Sequence, residues 1–368
     1  MSKIEDLKRI FLRTMDALDL VLQIKTSIFE WKNIQPLISP LESFIKSATV
    51  SSNNEENKKC TDFQSIIVKE TIDSNIFKEF PPCPFSTGKL IKRLLLILED
   101  SKIEGHSSLY DYISKPDSFG AQKCYYKSYF DVDGKHIVSL VERRELICDG
   151  TTGLRTWQAG TFLAKWLIDN PWHLSKGKES SILELGSGVG YTGISLFKDT
   201  RFSPLHMMLT DHHSAVLDTL YQNVVANLFS NQNHCVIRKE QHEKNIELKF
   251  PLMFTLNEES RQRTLIIDEL DWETFQSKDV TCQEFWPDLV IGADIVFDTS
   301  IIPHLVNVIS RCLSDLGTEK VIMANCVRNE TTDAYFMKYL EQSNILFTKE
   351  THTLDCGTPL NLYIIRNK

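Results

Sequence analysis

The stretch best suited to chemistry is Glu184-Leu185-Gly186-Ser187-Gly188-Val189-Gly190. It lies between an apolar run, residues 181–185, and a helical pattern that opens near Gly190. Glycines at such a turn let the backbone approach a ligand closely. The following helix N-terminus adds free amide donors and a partial positive charge. The glycines stand at 186, 188 and 190, whereas a dinucleotide fingerprint would put its third at 191, which is Tyr191. Two acids sit at the same edge. Glu184 precedes the first glycine by two residues, and Asp211 closes the next apolar run, residues 206–210. Open α/β sheets bind ligands beyond the carboxyl ends of their strands, where both acids fall.

Carboxylates repel a pyrophosphate. They suit a ligand with an ammonium, a sulfonium and no phosphate, which describes S-adenosylmethionine. Asp211 is placed to accept hydrogen bonds from ribose hydroxyls. Two blander readings stay open, an ordinary tight turn with two solvated acids and a dinucleotide dehydrogenase.

The glycine stretch followed by Thr210-Asp211 resembles motifs of the seven-strand class I methyltransferases. Three further segments narrow the resemblance: Thr156-Trp157-Gln158-Ala159, Leu270-Asp271-Trp272, and Ala293-Asp294-Ile295-Val296-Phe297. Together they resemble the protein-lysine methyltransferases with an Asp-x-x-Tyr motif. Within that family, the runs Gly150–Trp157, Val327–Thr331 and Pro81–Pro84 resemble the branch that acts on eukaryotic elongation factor 2. The resemblance is good over residues 122–368 and weak over the first 120.

The resemblance implies S-adenosylmethionine as cofactor. The contacts it implies are Trp157, Gly186, Ser187, Gly188, Asp211, Trp272 and Ala293, to which the reading of the glycine turn adds Glu184 and Gly190 as expected contacts. Aromatic faces suit a flat adenine or a sulfonium, although either tryptophan taken alone is equally a core residue. The implied partner is a protein, elongation factor 2, in the cytoplasm. Asp294 follows an apolar strand at the ligand edge and is the residue expected to hold the substrate lysine; a helix-capping aspartate is the alternative. Phe297 replaces the family's usual tyrosine, which removes a hydroxyl and leaves an aromatic wall for the lysine stem. Alternative functions are methyl transfer to another protein or a small amine, and a methyltransferase-like fold that binds without catalysis.

These groups need elements to position them. From residue 181 onward, apolar strand runs alternate with helical patterns, which implies a mostly parallel sheet with helices on both faces. The expected fold is therefore α/β and Rossmann-like, with seven strands, over residues 122–368. Residues 236–263 fit this alternation poorly and read as an insertion. Residues 125–130 and 136–141 read as a hairpin around Asp133-Gly134. A helix is expected after Thr156 as N-cap. Residues 1–121 read as a helical region that helps to select the substrate. Helices are expected over residues 4–24 and 87–100, a mobile loop over 47–61, and turns over 101–120.

Composition excludes several classes. The 368 residues carry a net charge of −8, which gives no bulk attraction for nucleic acid or anionic membrane. The (Asp/Asn)-Pro-Pro-(Tyr/Phe) signature of nucleic-acid amino methylation is missing after Ile291-Gly292-Ala293. No run of about 18 apolar residues predicts a membrane span, and the charged start predicts no signal-peptide core. The nine cysteines are scattered and never spaced as Cys-x-x-Cys, so reduced thiols and no metal site are expected.

Overall fold

The periodic apolar residues of the N-terminal third need a shared core, and helices supply it. The computed structural model describes residues 15–30, 32, 35–47, 54–114, 125–143, 145, 147, 150–174, 179–229, 248–258, 261–281 and 284–368. The chain divides into two units, residues 1–139 and 140–368.

The first unit contains α1 (Met15–Phe29), α2 (Gln35–Ser47), α3 (Asn54–Glu70), α4 (Asn75–Glu79), α5 (Pro84–Asp100) and α6 (Ser107–Ser114). Leu20, Ile24, Phe63, Ile67, Leu94 and Leu98 meet in its core. Lys25 is buried there because its Nζ pairs with Glu70 at 2.9 Å and lies 4.8 Å from the Phe130 ring centre. The helix expected over 4–24 runs on to Phe29, and residues 4–14 lie outside the described residues. The loop expected over 47–61 gives way to α3 from Asn54, an extension of the turns that Phe63 and Ile67 anchor in the core. Within 101–120, read as turns, α6 forms around the fully buried Leu109. Strands β1 (Tyr125–Phe130) and β2 (His136–Glu142) form the expected two-stranded sheet. Its turn is closed by Gly134 N donating to Asp131 O at 3.0 Å.

The second unit is a sheet flanked by helices. Its strands are β3 (Ser181–Leu185), β4 (His206–Asp211), β5 (Leu252–Asn257), β6 (Gln262–Glu269), β7 (Leu289–Ala293), β8 (Lys320–Cys326), β9 (Leu346–Thr353) and β10 (Pro359–Arg366), in the order β5-β6-β4-β3-β7-β8-β10-β9. Strands β6, β4, β3, β7 and β8 are parallel, and β10 runs antiparallel to both β8 and β9. Seven of these strands match the expected fold. The eighth, β5, pairs antiparallel with β6 at the sheet edge, so part of the supposed insertion belongs to the sheet. Its signal was hidden because only Phe254 along it is buried.

The central strands are mostly apolar because both faces are covered. Leu183 and Leu185 of β3 face a core shared with α11 (Ile302–Ser314) and α12 (Glu330–Gln342). Glu184 faces the other way, toward Gly193 on α8 (Tyr191–Lys198). Two more helices, α7 (Gln158–Asp169) and α9 (Ser214–Leu228), contact α8, and α10 (Lys278–Thr281) is one short turn. Thr156 does not cap α7. Its hydroxyl instead donates to Glu142 Oε1 at 2.8 Å, and Trp157 stands at the cap position. Among the described residues, no helix is long and apolar enough to cross a membrane, and Cys83, Cys312, Cys326 and Cys356 are free thiols.

Candidate active site

Beyond Leu185 the chain turns through Gly186 (φ +63°) and Gly188 (φ +55°), in the left-handed region that favours glycine. A Cβ at Gly188 would lie 3.1 Å from Gly153 O, and one at Gly186 would lie 2.7 Å from Ile295 Cγ2. One backbone bond and two backbone-to-side-chain bonds tie the turn to the end of β4. Ser187 N donates to Thr210 O at 2.7 Å, Thr210 N donates to Ser187 Oγ at 3.1 Å, and Gly188 N donates to Asp211 Oδ2 at 3.1 Å.

Asp211 is held further by the His212 and His213 amides, which donate to Oδ1 at 2.9 and 3.2 Å. A carboxylate offers roughly four acceptor positions. These three bonds leave one open, on Oδ2. Burial raises the Asp211 carboxyl above its ordinary range, against the pull of the amides.

Glu184 is buried, and its Oε2 has no hydrogen-bond partner among the described residues. Burial pushes its carboxyl up to about 8. Gly193 makes room for it, since a Cβ there would lie 2.5 Å from Oε2. Ser187, Thr192 and the Gly193 amide pull the carboxyl the other way, yet a buried carboxyl with one oxygen unpaired beside a glycine turn is costly alone. It fits a cationic ligand.

At the end of β7, Asp294 adopts φ +55° and its side chain is 2% exposed. Its Oδ1 accepts from Cys326 N at 2.8 Å and Arg328 Nη1 at 3.3 Å, and its Oδ2 accepts from Arg328 Nη2 at 3.0 Å. The Cys326 thiol also faces this carboxylate, and burial together with that charge pushes the thiol up to about 12. The Arg328 guanidinium also lies 4.7 Å from the Trp157 ring centre. Trp157 is fixed at its edge by Nε1, which donates to Thr152 O at 3.0 Å.

One cavity of about 440 Å³ joins these groups, lined by Trp157, Glu184, Gly186, Ser187, Gly188 and Asp211, and by Trp272, Ala293, Asp294 and Phe297. The Trp272 ring passes 3.6 Å from the Cβ position of Gly186. Phe297 is 55% exposed. Gly190 is the one expected contact outside the lining. It packs inward, where a Cβ would lie 2.5 Å from Leu220 Cδ1. Sequence reasoning assigned nothing to Arg155, His213 and His304, which also line the cavity, or to Arg328, which pairs with Asp294. Arg155 and Arg328 lie inside stretches that carried the resemblance, but a ladder of motifs does not say which side chains meet.

The cavity sits at the carboxyl ends of β3, β4, β6 and β7, and the sheet without β5 has the strand order of a class I methyltransferase. A model of the lysine methyltransferase family matches residues 143–253 and 238–343. The chain belongs to that family. It is similar to the protein-lysine N-methyltransferase EEF2KMT of Bos taurus, at 28% identity over 76% of this chain and 77% of the relative. The human protein of that name is 29% identical over 77% of this chain and 78% of its own length. The protein-lysine N-methyltransferase EFM3 of Chaetomium thermophilum is 25% identical over 81% and 89%. The reaction is methyl transfer from S-adenosylmethionine to a lysine nitrogen of a protein. The glycine turn, the orphaned Glu184 oxygen and the open position on Asp211 fit that cofactor's charges and hydroxyls.

Proposed function

We propose that this chain methylates a lysine of eukaryotic elongation factor 2 in the cytoplasm. Support for the substrate comes from the runs Gly150–Trp157, Val327–Thr331 and Pro81–Pro84, and from relatives that share about three quarters of their length with this chain. Residues 1–121 are read as the part that helps to select that substrate.

The observation that carries the chemistry is the Asp294 carboxylate, fixed in the cavity wall next to Ala293 by Cys326 N and Arg328. When bound, S-adenosylmethionine supplies an electrophilic methyl on a sulfonium. Glu184 meets the cofactor's ammonium and Asp211 its ribose. Trp157, Trp272 and Ala293 pack against it. The Asp294 carboxylate attracts the incoming lysine nitrogen and orients it, while Phe297 walls the aliphatic stem.

Before reaction the lysine must lose a proton, which costs about 4 kcal/mol at pH 7.4 from a reference pKa near 10.4. An ionised carboxylate is a poor base for an amine, so Asp294 holds and aligns the nitrogen and the proton leaves to water. Alignment supplies much of the rate. Incubating the protein with methyl-labelled cofactor and cell lysate tests the reading. The labelled band should be elongation factor 2, and a different labelled protein would replace that substrate.

A further inference from the structure

S-adenosylmethionine brings a carboxylate as well as two cationic centres, and none of the acids of the cavity can answer that carboxylate. Arg328, beside the Asp294 wall, has both Nη atoms committed to the Asp294 carboxylate. Arg155 does line the cavity. Its guanidinium lies 5.4 Å from the Trp157 ring centre. Its Nε is buried with no hydrogen-bond partner, and no carboxylate pairs with it among the described residues. A guanidinium against an aromatic ring keeps its in-plane donors free for a two-pronged bond to a carboxylate. The loop that bears Arg155 also lies against the glycine turn, since Gly153 O sits 3.1 Å from the Cβ position of Gly188, and it is braced internally by Thr152 O accepting from Trp157 Nε1.

We propose that Arg155 binds the carboxylate of the cofactor's methionine moiety, so that Glu184 and Arg155 read its ammonium and carboxylate as a pair. The inference rests on the cavity being the cofactor site.

The test is calorimetric titration of the full chain with S-adenosylmethionine and with decarboxylated S-adenosylmethionine, which lacks only that carboxylate. The wild type should prefer the intact cofactor at least tenfold. Arg155→Met, which keeps the apolar stem, should lose that preference by weakening the intact cofactor tenfold or more and the decarboxylated one less than threefold. Arg155→Lys should keep part of the preference, and it serves as the probe if the methionine variant does not fold. Equal weakening of both ligands would make Arg155 a prop for Trp157 and overturn the proposal. Unchanged affinities would overturn it too. A wild type that binds neither ligand would overturn the cofactor site itself, a result distinct from the other two.

Discussion

Asp294 is held in the left-handed region by Asp294 N donating to Ala324 O at 2.8 Å, and its carboxylate is clamped by Cys326 N and Arg328. The sequence placed this acid at the strand end but not in an ion pair, because its partner lies 34 residues away on the far side of β8. Asp294→Asn keeps the shape and one acceptor oxygen while removing the charge. Cofactor affinity should stay near normal, and single-turnover methyl transfer at saturating cofactor should fall at least tenfold, or about 1.4 kcal/mol of transition-state stabilisation. An unchanged rate would make Asp294 a structural anchor for Arg328. Glu184 makes a separate prediction in the cofactor-free protein. Its folded carboxyl titrates at about 8 against an ordinary 4.5. Between those values the folded state keeps a proton that the unfolded chain has released, so stability falls as pH rises through the window and levels off above it. Relative to Glu184→Gln, the wild type should lose on the order of 2 kcal/mol between pH 6 and pH 9. A difference in melting free energy that stays flat with pH would contradict the burial argument. Legible at this scale were the residues whose backbone or charge a motif dictates. Gly190 matches the motif, and the space beside its α-carbon is filled by Leu220 and Ile194.

Among the elements, α9 does more than cover the sheet. Its buried Asn223 accepts from Val141 N at 2.7 Å and donates to Val189 O at 2.9 Å and Val141 O at 3.3 Å. One side chain thus ties the glycine turn to the end of β2. Asn223→Ala should strand these backbone groups and cost about 2–4 kcal/mol, read as a lower melting temperature and a weaker cofactor affinity from a loosened turn. A variant as stable as the wild type would show that the turn holds itself. The strands with continuous apolar runs, β3, β4, β7 and β8, could be read directly because burial on both faces leaves that pattern. Strand β5 could not, since an edge strand with one buried residue has neither an apolar run nor an alternation. The start of α3 was hidden for a related reason: residues 54–60 are polar, and the helix is paid for by Phe63 and Ile67 further along.

At the scale of the whole molecule, each of the two units has its own apolar core. All the cavity residues belong to the second unit. Removing residues 1–120 should therefore spare cofactor binding by calorimetry and impair methylation of the intact substrate. Full methylation by the truncated chain would show that the helical region selects nothing. Periodicity made two of these helices legible, those expected over 4–24 and 87–100, and their role was not, because a packed helix and a substrate-reading helix bury the same stripe. The most direct measurement is mass spectrometry of purified elongation factor 2 after incubation with this protein and S-adenosylmethionine. The expected result is methylation confined to one lysine and dependent on both the enzyme and the cofactor. Unmodified elongation factor 2, from a protein that binds the cofactor under the same conditions, would contradict the proposed substrate.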